Sequence, residues 1–191
     1  MKEKYLYHGT IYVFDDIDLR AGKDFKDFGK GFYASGDKEQ ANKFAQIIKD
    51  REITRQRRLK NMNPQYKINS ITKYRYDFVF MEDEAFNDSS LNIKVFKEAD
   101  LEWIKFVFRN RLNRGKVHNY DIVIGPTADA ATKDLINDYR QILKENNYSD
   151  EVFYLLLQEV KADKLKKQYY FGSYRALKYL KFLYARKRVI L

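Results

Sequence analysis

YLYHGT, residues 5–10, is followed after sixteen residues by DFGKGFYAS, residues 27–35. The first stretch, with Lys4 before it, alternates aromatic and other side chains and reads as a strand ending at His8. A histidine at a strand end can both donate and accept hydrogen bonds at neutral pH. Gly9 beyond it lets a ligand approach the backbone, whose N–H and C=O can read a planar amide. In the second stretch Gly29 and Gly31 bracket Lys30 and permit a tight loop, and KGFYAS reads as a second short strand carrying Tyr33. A tyrosine delivered beside His8 would suit stacking on a flat aromatic ligand, so the two stretches are expected to form one pocket. Taken singly, each fits a plainer element better: a surface strand ending in a turn, and a hairpin with an exposed ring. The loop does not match the dinucleotide fingerprint G-x-G-x-x-G, because Ala34 stands where the third glycine belongs, and it has no Walker A pattern.

Composition narrows the classes. The chain has 191 residues, which fits a single domain over 1–191 with a sizeable core. Hydrophobic residues at 45% and aromatics at 16% exclude a disordered chain and suggest a core built partly from rings. There is no cysteine, which excludes disulfides and thiolate zinc sites. With only His8 and His118, no metal is expected. No secretory signal is read at the start, and no apolar run approaches the roughly 20 residues of a membrane helix. A cytoplasmic location without a membrane partner is the simplest expectation, although an exported toxin lacking a signal would look the same. The net charge of +10 attracts polyanions, whether nucleic acid, a nucleotide or an acidic protein, and also serves solubility alone.

Along the chain, Asp37 and Gln40 stand at N-cap and N3 of a helix whose Ala41, Phe44, Ala45 and Ile48 share an apolar face. That helix can continue through the basic REITRQRRLK until Pro64. TKYRYDFVF and LNIKVF read as strands. Asp100 can cap a helix carrying Leu101, Ile104, Phe108 and Leu112. YDIVIGP reads as a central strand, ATKDLINDYRQILKENN as an amphipathic helix, and DEVFYLLLQEVKADKL as a helix capped by Ser149. QYYFGS is a late strand, after which Ser173 is expected to cap a helix over YRALKYLKFLYARK. Strands and helices mix without a βαβ repeat, so the expected class is α+β with a partly antiparallel sheet.

Together the motifs resemble a known family. His-Gly-Thr, then Phe-Gly-Lys-Gly-Phe-Tyr, then a helix, is similar to the NAD-binding core of the diphtheria-toxin-like ADP-ribosyltransferases, which include the poly(ADP-ribose) polymerases. The whole chain resembles a small bacterial family of uncharacterised proteins with that fold. YLYHGT, DFGKGFYAS, YDIVIGPTAD and QYYFGSYRALKYLKF fall in the order expected of it.

The resemblance implies an ADP-ribosyltransferase-like split sheet and NAD as co-substrate. His8 would hold the ribose of the adenosine half. The Gly9 backbone would bind the nicotinamide carboxamide, with Thr10 beside it. Gly31 and Phe32 would belong to the same NAD-binding stretch, and Tyr33 would stack on the nicotinamide ring. A second tyrosine of the polymerases is replaced here by Phe44, and a serine that bonds the carboxamide by Ala41. The third catalytic position, usually Glu, matches Gln168, which supplies a dipole and no charge. That departure disfavours polymer elongation and leaves single ADP-ribose transfer. Glu159 is the rival acid, mid-helix. Asp121, Asp129 and His118 are read as structural. The expected activity is therefore mono-ADP-ribosylation of a protein or nucleic acid. Such a small basic enzyme would suit a toxin of a toxin-antitoxin or phage-defence system, held by an acidic antitoxin. The alternative is a non-enzymatic basic module that binds RNA or senses NAD.

Overall fold

The structure is a computed structural model and describes residues 3–160, 165–183 and 188–190. Its centre is one mixed sheet. The strands are β1 (Glu3–Thr10), β2 (Phe32–Ser35), β3 (Lys73–Met81), β4 (Ile93–Val95), β5 (Ile122–Pro126), β6 (Lys167–Phe171), β7 (Leu180–Phe182) and β8 (Arg188–Ile190). Their order is β4-β5-β6-β2-β1-β3-β7, with β8 also paired to β3. Only β4 and β5 run parallel; every other neighbour is antiparallel. The helices are α1 (Lys38–Met62), α2 (Glu82–Asn87), α3 (Leu101–Leu112), α4 (Ala130–Glu145), α5 (Asp150–Glu159) and α6 (Tyr174–Leu177). The class is α+β, as the mixed pattern predicts. No helix among the described residues is long and apolar enough to cross a membrane.

Alternation along the strands makes two cores. On one face, Val123 and Tyr170 join Trp103, Ile104 and Val107 of α3 with Ile136 of α4 and Phe153 and Leu156 of α5. On the other, Leu6, Phe32, Ala34, Tyr76, Phe78, Phe80 and Phe171 are roofed by Phe14, Ile17, Leu19, Ala85 and Ala176. The long helices thus lie on the first face, and short helices and the segment after β1 cover the second. Of the caps read from sequence, Asp37 accepts from Gln40 N and Asp100 from Trp103 N, each at 2.8 Å, and Ser173 from Ala176 N at 3.2 Å, whereas Ser149 precedes α5 without a side-chain cap bond.

Three expectations are corrected. The helix predicted over YRALKYLKFLYARK is capped by Ser173 but ends at Leu177; Leu180–Phe182 then pairs antiparallel with Phe78–Phe80. Apolar residues every three or four positions fit a helix or a short turn followed by a strand, and the open edge of β3 decides for the strand. Residues 184–187 of that stretch lie outside the described residues, as do 161–164 of the helix predicted beyond Glu159. Phe44, predicted on the apolar face of α1, is 40% exposed, while Ala41 and Ala45 are buried. The YDIVIGP strand is fully buried but second from the sheet edge.

Candidate functional site

The site begins where β1 and β2 part. The two strands share a single pairing, Tyr7 with Ser35. Beyond it β1 continues through His8, Gly9 and Thr10, paired to β3 on its other side and with no strand partner toward β2. One further link closes the gap: His8 Nδ1 lies 2.7 Å from the Tyr33 carbonyl. A carbonyl only accepts, so Nδ1 carries the proton and donates, and Nε2 keeps its lone pair. The His8 ring packs 4.6 Å from Phe32 and 5.9 Å from Phe14. Burial there pushes its pKa down to about 4, against the raising effect of the bond to Tyr33. His8 is therefore neutral at pH 7.

His8 and Tyr33 are neighbours, but their rings project from opposite faces of the sheet. The Tyr33 ring sits on the helical face, 5.3 Å from Tyr170 and 6.5 Å from Phe28. Its hydroxyl donates to Gly29 O at 2.6 Å and accepts from Phe28 N at 3.0 Å. Burial, reinforced by the nearby Asp27 carboxylate, raises the phenol well above its usual value. The expectation of one pocket with the Tyr33 ring beside His8 is therefore not met: the two residues meet only through the Tyr33 backbone carbonyl at the strand gap, because Tyr33 and Phe32 alternate across the sheet and it is Phe32 that packs on His8. No ring contact joins Tyr33 to Phe44 among the described residues; instead the Lys26 ammonium lies 5.7 Å from the Phe44 ring centre.

The other predicted residues fall around this gap. A Cβ at Gly9 would lie 1.8 Å from the Ala41 carbonyl oxygen, so the glycine lets the first turns of α1 seat directly on β1. Thr10 is buried and accepts from Tyr12 N at 3.1 Å. A Cβ at Gly31 would lie 2.4 Å from the Tyr170 ring, whose hydroxyl donates to Lys30 O at 3.0 Å. Phe32 is core beneath His8.

Gln168 lies on the neighbouring strand, in register with Ser35, which is in turn paired with Tyr7. His8, Tyr33 and Gln168 thus stand on three adjacent strands, β1, β2 and β6, though up to 160 residues apart in sequence. Gln168 shares the helical face with Tyr33, because Tyr170 two residues on does so. The rival Glu159 ends α5 and accepts from the Tyr139 hydroxyl at an exposed position. Asp121 accepts from Arg175 and Asn92 N, and Asp129 caps α4, so both serve the frame.

Sequence reasoning passed over two groups that build this region, Asp27 and the chain from Ser35 through Gln40 to Thr127, while His118, read as structural, also packs into it. Asp27, 5% exposed, accepts from Arg111 Nε at 2.8 Å, Ala128 N at 3.0 Å and Gln168 Nε2 at 2.7 Å. Ser35 donates to Gln40 Oε1 at 2.5 Å, and Gln40 Nε2 reaches Thr127 at 3.1 Å. His118 Nε2 meets Phe28 O at 2.8 Å while Nδ1 accepts from Tyr120 N at 3.1 Å, which fixes the neutral ring with its proton on Nε2. Lys26 is also perturbed: burial first, then the Lys23, Arg51 and Arg111 charges, lower its pKa. Two open clefts lie outside the triad. One, of about 510 Å³, begins right after Thr10 and is lined by Tyr12, Lys23, Glu52, Arg55 and Thr72. The other, of about 800 Å³, lies between α3 and α4. Proximity and polar chemistry, and not cavity size, mark the strand gap as the candidate site.

The chain belongs to the family described as "Protein of unknown function (DUF3990)", whose model matches residues 4–182. No curated protein and no solved structure matches the chain.

Proposed function

We infer that the protein is a mono-ADP-ribosyltransferase that moves ADP-ribose from NAD to a macromolecule, releasing nicotinamide. The observation that carries this reading is the strand order β6-β2-β1, which brings Gln168, Tyr33 and His8 to one gap in the sheet.

In this reading neutral His8 accepts a ribose hydroxyl through its free Nε2, and its Nδ1–H anchors it to the Tyr33 carbonyl. The unpaired edge at His8–Thr10 offers backbone groups to the carboxamide. Tyr33 supplies an apolar wall, its hydroxyl already engaged by the loop. The Gln168 amide dipole faces the nicotinamide ribose. Cleavage of the glycosidic bond gives nicotinamide and an oxocarbenium-like carbon, which the target nucleophile captures. The protein's share is to align the two halves and exclude water. The +10 charge suits a nucleic acid acceptor or an acidic protein, the latter including an antitoxin.

A second reading is favoured by the same Gln168. An amide where a carboxylate would stabilise the cation suits a module that binds NAD or RNA without turnover. The discriminating experiment uses NAD labelled in its adenylate phosphate, incubated with the protein and cell extract. Label that becomes acid-insoluble and is released by protease or by nuclease supports transfer and names the acceptor class. Binding of NAD with no incorporation and no nicotinamide favours the second reading.

A further inference from the structure

The buried end of Gln168 is surrounded by groups that only accept. Its Nε2 donates to Asp27 Oδ2 at 2.7 Å and to the Pro126 carbonyl at 3.3 Å. A flipped amide would press its carbonyl oxygen against a carboxylate and a carbonyl, so the environment allows one orientation. The opposite atom, Oε1, has no hydrogen-bond partner among the described residues. It is also not sealed in, since the buried side-chain atom without a partner is Asn110 Oδ1. Gln168 thus turns its NH2 group toward Asp27 and Pro126 and leaves Oε1 as the amide atom free to accept.

Asp27 is itself held. Arg111, from α3, places Nε and Nη2 at 2.8 and 2.5 Å from Oδ1, and Ala128 N binds Oδ2 at 3.0 Å. The carboxylate sits one residue before the Phe28-Gly29 turn that Tyr33 and His118 clamp. The loop of the first motif pair therefore reaches the residue of the late strand through a fixed negative charge.

We propose that Asp27 is the positioning residue of the transfer site: it fixes the Gln168 amide so that its carbonyl oxygen accepts from the ribose hydroxyl. This rests on reading Gln168 as the group facing the nicotinamide ribose. The charge a glutamate would carry at its tip stands here one hydrogen bond further back. From there it polarises the amide and directs the negative end of the dipole toward the developing cation.

The test follows two readouts in the full-length chain: the Gln168 side-chain amide signals in 15N-labelled protein, assigned by their loss in Gln168→Ala, and single-turnover nicotinamide release. In the parent the two amide protons should be distinct and slow to exchange. Asp27→Asn should shift them, speed their exchange, and lower the release rate by about tenfold or more with NAD affinity within twofold. The doubly exchanged Asp27→Asn/Gln168→Glu variant restores a donor facing an acceptor, and it should release nicotinamide faster than Asp27→Asn alone. It also serves if the single variant folds poorly by circular dichroism. Unchanged amide signals in Asp27→Asn overturn the proposal whatever the activity. Shifted signals with an unchanged release rate overturn the role in transfer. A parent that releases no nicotinamide, with its amide held as described, refutes the proposed function and leaves Asp27 with a structural role only.

Discussion

His8 Nδ1 lies 2.7 Å from the Tyr33 carbonyl, a side chain completing a strand pairing that β1 and β2 otherwise make only at Tyr7 and Ser35. The bond locks one tautomer and joins the two motifs that open the sequence. Its electrostatics can be read in solution.

Burial holds the His8 pKa at about 4, below the ordinary 6.5, so the cation is disfavoured in the folded state. The unfolded chain then takes up the proton first, and stability contributed by neutral His8 is lost as pH falls from about 6.5 toward 4. At pH 5 the loss relative to pH 8 is about 2 kcal/mol. Urea unfolding of the parent and His8→Asn at both pH values should show that much less acid sensitivity in the variant. Equal acid sensitivity of the two proteins would show that His8 does not titrate this way.

Gly9 should tolerate no side chain. A Cβ there meets backbone of α1 at 1.8 Å, and helix backbone cannot rotate away as a side chain can. Gly9→Ala is expected to cost about 1–3 kcal/mol, the range of overpacked sites. At Gly36 a Cβ would meet only a Tyr169 ring atom at 3.7 Å, so Gly36→Ala should be nearly neutral. Thermal unfolding of both variants checks the contrast, and equal melting temperatures would contradict it.

Tyr33→Phe keeps the ring and removes a hydroxyl that bonds both Gly29 O and Phe28 N. Leaving that N–H without its partner should cost about 1–2 kcal/mol. It should also loosen the 28–31 loop, read as faster amide exchange at Phe28. Unaltered exchange there would mean the hydroxyl does not hold the loop.

Much of the frame was legible because local chemistry fixes it. Asp37 and Gln40 announce the start of α1, and the alternation of TKYRYDFVF announces β3. The helix misread after Ser173 shows the limit, since its strand forms against β3, about a hundred residues away in sequence. The candidate site divides in the same way. His8, Tyr33 and Gln168 sit at positions to which the resemblance gives a role, whereas Asp27, though it opens DFGKGFYAS, and Arg111 are 84 residues apart and look like ordinary surface charges in a chain that is 34% charged. Only burial distinguishes them, and burial of a charge is a tertiary property. Phe44 errs the other way: helical spacing places it with Ala41 and Ala45, yet the loop carrying Lys26, not the sheet, lies against it.

The most direct test of the account is nicotinamide release from NAD under single-turnover conditions, in the presence of cell extract, by the parent and Gln168→Ala. The account predicts release by the parent, and a rate lower by on the order of 10²–10³ in the variant, with NAD affinity by calorimetry little changed, because the amide dipole matters most as positive charge develops. Equal release by the two proteins, or none by the parent, would contradict it.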